Sequence, residues 1–136
     1  MKILYITNGD LSGNGGGVMA YFKFTNGLHF LYQKDNIDHY LIVSFSDKHN
    51  GSVKINEHEL VIGNVIRGTK KKILMRLHGN LMQIALSYEE LLDHVSKYEP
   101  DVVILQTSFF GDLASLIRRM FPRTIIIGNF DNFEYE

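Results

Sequence analysis

Three short stretches of this chain hold residue types and spacings that could do chemistry, and each follows an apolar run. Residues 8–17 contain five of the twelve glycines: Gly9, Gly13, Gly15, Gly16 and Gly17. Glycine lets backbone N–H groups approach an anion closely, and a following helix N-terminus adds a field of about half a positive charge. Gly15, Gly17 and Ala20 satisfy G-x-G-x-x-A, the phosphate-binding spacing of dinucleotide sites. Such a site also needs an acid about 20 positions on, at the end of the second strand, to meet the ribose. The nearest acid there is Asp47, too late for that role. No Lys-Ser/Thr pair ends the glycine run, which excludes a P-loop. The alternative is an irregular glycine turn that holds nothing. The second stretch is Thr107-Ser108, whose hydroxyls can cap a helix and also touch a ligand. Its context, Gln106-Thr107-Ser108-Phe109-Phe110, is not the G-x-S-x-G of a serine nucleophile. The third is residues 129–134, where Asp131, Asn132 and Glu134 either bind a polar ligand or form a polar turn.

Other chemistries are poorly supported. With no cysteine, the chain has no disulfide scaffold, thiolate metal site or cysteine nucleophile. The six histidines show neither an i, i+4 pair nor the spacing of a metal site, so no metal is expected. Asn50-Gly51-Ser52 fits a glycosylation acceptor, which a cytoplasmic chain would never present to the machinery. A formal charge of -1 argues against a nucleic-acid binder. A basic run, Arg67, Lys70, Lys71, Lys72 and Arg76, reads either as a solvated helix face or as a contact with an anionic membrane or phosphorylated lipid acceptor. Leu74 and Leu77 beside it would add apolar insertion. Apolar runs are far shorter than the ~20 residues of a membrane span, and the N-terminus lacks a signal-peptide pattern. The expectation is a soluble, cytoplasmic chain.

The elements that must position these stretches alternate. At 136 residues the chain is one domain or a large piece of one, with 45% hydrophobic content to build a core. Mostly apolar strands are expected at 2–7, 40–45, 59–62, 101–106 and 124–128. Between them, Val18, Tyr21, Phe22, Leu28, Leu31 and Tyr32 form one helical stripe, and residues 46–54 read as a polar turn region. Helical spacing also runs from Leu74 to Tyr88, and Ser87-x-x-Glu90 matches a capping box opening a helix that buries Leu91, Leu92 and Val95. Phe110, Leu113, Ile117 and Met120 mark a last helix, stopped by Pro122. Strands alternating with helices imply crossovers and hence an open, doubly wound, Rossmann-like α/β sheet, mostly parallel, with helices on both faces. In such sheets ligands sit beyond the carboxyl ends of the strands, where all three chemical stretches fall.

Residues 1–7 followed by Gly15-Gly16-Gly17-Val18 resemble the start of a GT-B glycosyltransferase of the large retaining family of bacterial sugar transferases. Tyr98-Glu99-Pro100-Asp101-Val102-Val103 is similar to that family's lead into its fourth major strand. Residues 127–136 resemble its Phe-His-Asn-x-Glu-Tyr segment, with Asn132 and Glu134 matching and Asp131 standing where the family carries histidine. A carboxylate accepts hydrogen bonds from sugar hydroxyls but offers no imidazole donor.

The resemblance spans nearly the whole chain and only the family's N-terminal, acceptor-side domain. It implies that Gly15, Gly16 and Gly17 lie near the donor's phosphates and transferred sugar. Asn14, Thr107, Ser108, Asn132 and Glu134 would line the cleft, with Asp131 as the catalytic candidate. The implied reaction is retaining transfer of a sugar from a nucleotide-sugar donor to a polysaccharide or lipid-linked acceptor, with no cofactor and no obligatory metal. The family's donor-binding Glu-x7-Glu domain has no counterpart here, so a fragment that needs this second domain in cis, and does not turn over alone, is expected. Two rivals stay open: a nucleotide- or dinucleotide-binding Rossmann module of another enzyme, and a non-catalytic α/β binding module.

Overall fold

A computed structural model describes residues 1–7, 16–64, 73, 88–106 and 111–128, without the side chains of 16–21, 47–50, 64 and 111. The elements run β1 (Lys2–Ile6), α1 (Gly16–Gln33), β2 (His39–Asn50), β3 (Ser52–Asn56), β4 (Glu59–Asn64), α2 (Tyr88–Tyr98), β5 (Val102–Leu105), α3 (Gly111–Met120) and β6 (Ile125–Gly128). They build one six-stranded sheet in the order β3-β4-β2-β1-β5-β6. Every neighbouring pair is parallel except β3 with β4. Numbered among themselves, the five parallel strands lie in the order 3-2-1-4-5, the doubly wound arrangement that reverses direction beside the first strand.

Parallel strands covered on both faces must be apolar throughout, and β1 and β5 are. Leu4, Ile6, Val103 and Leu105 point to one face, where they meet Leu91 and Val95 of α2 and Leu113 and Ile117 of α3. Ile3, Tyr5, Val102 and Ile104 point to the other, where Leu28, Phe24 and Tyr32 of α1 join them. Helices therefore lie on both faces. Leu113 and Ile117 are fully buried at i and i+4. Met120, expected on the same stripe, is half exposed at the end of its helix.

Three details differ from the sequence expectation. The buried side of α1 is Phe24, Leu28 and Tyr32, whereas Phe22 and Leu31 face outward. The helix is long and apolar on several sides, so its periodicity alone did not select the side that meets the sheet. Residues 46–54 are not a turn region: β2 continues to Asn50, the chain reverses at Gly51 (φ 75°), and β3 forms the antiparallel edge. Alternation in Ser52-Val53-Lys54-Ile55-Asn56 carried that strand, and pairing with β4 outweighs its polar content. Glu90 accepts a hydrogen bond from the Ser52 hydroxyl, a tie between α2 and the sheet edge that the sequence did not show. Ser87 and the helical spacing through residues 74–87 lie outside the described residues.

Candidate functional site

Register places the carboxyl ends of three adjacent strands at one level: Ile6 pairs with Leu105, and Leu105 with Gly128. The chain leaves that edge at Thr7, Gln106 and residue 129. Neighbouring strands lie about 4.8 Å apart, so the three exits span roughly 10 Å. The order reversal falls between β1 and β5, and the helices that follow them in the chain, α1 and α3, pack on opposite faces of the sheet. Such a divergence opens a crevice at the strand ends.

Gly16 and Gly17 are the first two residues of α1, which starts two residues before the expected helix. The first N–H groups of a helix have no intrahelical acceptor, so glycines here leave bare donors at the positive end of the dipole. Asn14, Gly15, Thr107, Ser108, Asp131, Asn132 and Glu134 lie outside the described residues, as do Arg67, Lys70, Lys71, Lys72 and Arg76. Within the basic stretch, Ile73 is helical and half exposed.

Two buried polar residues stand at this edge, which sequence reading missed. Thr7 and Gln106 are buried, 3% and 6% exposed, at the ends of otherwise apolar strands. Their backbones extend the ladders: Thr7 N–H donates to Val43 O at 3.0 Å and Gln106 N–H to Ile6 O at 3.0 Å. The Tyr5 hydroxyl donates to Gln106 Oε1, and the Tyr5 ring stacks on Phe24 of α1 at 5.3 Å. The available signal was the switch from apolar to polar at Thr7 and Gln106, the first residues after their strands.

Sequence spacing also hid a cluster at the opposite, amino-terminal end of the sheet. Here α1, the start of β2, the β3–β4 turn and the end of α2 meet. His29 Nδ1 bonds the Tyr40 hydroxyl at 2.9 Å, and His39 Nδ1 the Tyr98 hydroxyl at 2.8 Å. His58 Nδ1 donates to Tyr40 O at 2.9 Å. The His58 ring stacks on Tyr40 at 4.1 Å and on His39 at 4.6 Å. Its Nε2 is buried 3.3 Å from a Glu57 carboxylate oxygen, out of line for a hydrogen bond. Burial, then repulsion from His58, pulls the His39 pKa below the ordinary value. Burial, then Asp101, pushes the Tyr98 hydroxyl upward. Three histidines widely separated in sequence thus meet at His58, which stacks on His39 and lies edge-on to His29 at 6.4 Å. Among the described residues no group of His, Asp and Glu could hold a metal ion, and no helix is long and apolar enough to cross a membrane.

Comparison with models of known protein families found no match, and comparison with curated proteins found none.

Proposed function

We propose that this chain is the acceptor-side half of a retaining GT-B glycosyltransferase that moves a sugar from a nucleotide-sugar donor to a polysaccharide or lipid-linked acceptor. One observation carries the reading: Ile6, Leu105 and Gly128 end their strands in register across the point where the strand order reverses. The three segments that sequence reading marked as chemical all begin at that edge.

Transfer breaks the bond between the sugar's anomeric carbon and the diphosphate oxygen, and forms one from that carbon to an acceptor hydroxyl on the same face. Negative charge grows on the departing diphosphate. Preorganised N–H dipoles aimed at that charge lower the barrier without reorganising during the reaction. Gly15, Gly16 and Gly17 supply them, reinforced by the α1 dipole. Cationic side chains of a second α/β domain complete the charge balance. Asp131 accepts hydrogen bonds from sugar hydroxyls, while Asn132, Glu134, Thr107 and Ser108 position the acceptor. The basic run from Arg67 to Arg76 holds the enzyme at the inner face of an anionic membrane.

A dinucleotide module is the second reading, and β2 disfavours it. Val43 pairs with Ile6, so a ribose-binding acid belongs just beyond Val43, where Ser44, Phe45 and Ser46 stand. The test is release of nucleoside diphosphate. With a cognate donor and acceptor, the intact gene product should release it and Gly17→Val should reduce the rate at least ~100-fold, the scale of losing oxyanion-type donors. The isolated 136-residue chain should release none. Turnover by that chain alone, or none by the intact product across a panel of nucleotide sugars, defeats the proposal.

A further inference from the structure

A second concavity lies away from the crevice, between the last turns of α2 and the sheet strands β2, β4 and β3. Its volume is about 520 Å³, within the range that holds small organic ligands. The floor is apolar, made by Leu41 and Leu60, and one wall is the ring of Tyr98. This much of the site favours a flat hydrocarbon body, since displacing water from apolar surface is favourable and a ring can stack on Tyr98.

The rim selects charge. Lys54 of β3 and Lys97 of α2 both line it, so two cationic side chains come from different elements. Lys97 already shares its charge with Asp93 at 2.9 Å, whereas no described residue pairs with Lys54. His94 lines the same side and holds Ser52 Oγ through Nε2 at 3.3 Å. The rim carboxylate, Glu57, lies beside the His58 ring. The carbonyl end of α2 would repel an anion, but the Lys2 ammonium donates to Tyr98 O and lies 5.1 Å from the Tyr98 ring centre.

The walls are held in place before anything binds. His39 Nδ1 and the Tyr98 hydroxyl share a hydrogen bond at 2.8 Å, and the two rings lie 5.7 Å apart. The Ser52 hydroxyl is fixed between Glu90 and His94. Polar side chains tied to one another around an apolar floor form a pocket that needs little ordering to accept a ligand.

We infer that this pocket binds a small aromatic anion, an aryl phosphate or carboxylate, with the ring on Leu41, Leu60 and Tyr98 and the anion between Lys54 and Lys97. It is distinct from the crevice: His39 begins β2, at the opposite end of the sheet from Thr7 and Gln106. The inference therefore stands or falls separately from the glycosyltransferase reading.

Phenyl phosphate is the probe, titrated into methyl-labelled protein and followed by NMR. Benzyl alcohol supplies the ring without the charge, and inorganic phosphate the charge without the ring. Saturable shifts of the Leu41 and Leu60 methyls with phenyl phosphate, at least about five-fold tighter than with either half-probe, are expected. Lys54→Glu should weaken binding about five-fold or more, the scale of one exposed charge interaction, without moving core methyls such as Leu113. Three results would overturn the inference: no shift at Leu41 and Leu60, equal affinity for benzyl alcohol, or unchanged affinity in Lys54→Glu. Shifts confined to the apolar groove of Ile3, Leu28 and Ile104, or to Thr7 and Gln106, would overturn it equally.

Discussion

Two buried polar pairs mark the two ends of the sheet, and each makes a separate expectation at the scale of a residue. At the carboxyl end, the buried Tyr5 hydroxyl donates to Gln106 Oε1 and joins β1 to the residue that follows β5. Tyr5→Phe removes that donor and leaves the oxygen to find another, which should cost about 1–3 kcal/mol in urea unfolding. No loss of stability would mean that the pair contributes nothing to the fold. At the amino end, His39 has a folded pKa below its unfolded value of about 6.5. The unfolded chain therefore takes up the proton first as pH falls. The resulting stability is fully present above about pH 6.5 and declines below it, through the window between the two values. Urea midpoints measured from pH 7.5 to 5 should fall, and His39→Gln should flatten part of that fall. An identical slope in the variant would remove His39 from the account.

Helix ends and the strand edge carry the next expectation. α2 stops with Glu99 in the left-handed region at φ 53°, its N–H bonded to Val95 O at 2.9 Å. A left-handed conformation costs an L-residue about 1–2 kcal/mol, and glycine is the usual occupant of this position. Among the described residues none forms an ion pair with the exposed Glu99 carboxylate to offset this strain, so Glu99→Gly should raise stability by up to about 1 kcal/mol after glycine's own entropy cost. A drop in melting temperature would contradict that. The same elements separate what was legible in the sequence from what was not. β1, β5 and β6 were readable because continuous apolar runs have few other uses, and Pro100 and Pro122 punctuate them. β3 was not, because its stability comes from β4, ten residues or fewer along the chain but across a turn. The outward side of α1 was misassigned for a related reason: Phe22 and Phe24 are equally apolar, and only the sheet decides between them. Thr7 and Gln106 were read as the last residues of their strands and not as part of the site, because their burial depends on strands far apart in sequence.

At the scale of the whole molecule the sheet has a chemical polarity. Its carboxyl edge carries the ends of β1, β5 and β6 in register, with the buried Thr7 and Gln106 just beyond two of them. Its amino edge is closed by stacked histidine and tyrosine rings. The basic run at 67–76 adds a surface expectation: sedimentation with vesicles rich in anionic lipid at low salt should exceed that with neutral vesicles, and Lys70→Glu with Lys71→Glu should abolish the difference. Equal sedimentation with both vesicle types would remove the membrane contact from the proposal. The most direct measurement is an amide NMR titration of the chain with a nucleoside diphosphate and its sugar conjugate at millimolar concentration. Shifts at Ile6, Thr7, Leu105, Gln106 and Gly16, with His39 and His58 unmoved, are the expected result for a diphosphate held at the β1–β5 crevice. No shift at those amides, or shifts centred on the histidine end of the sheet, would contradict it.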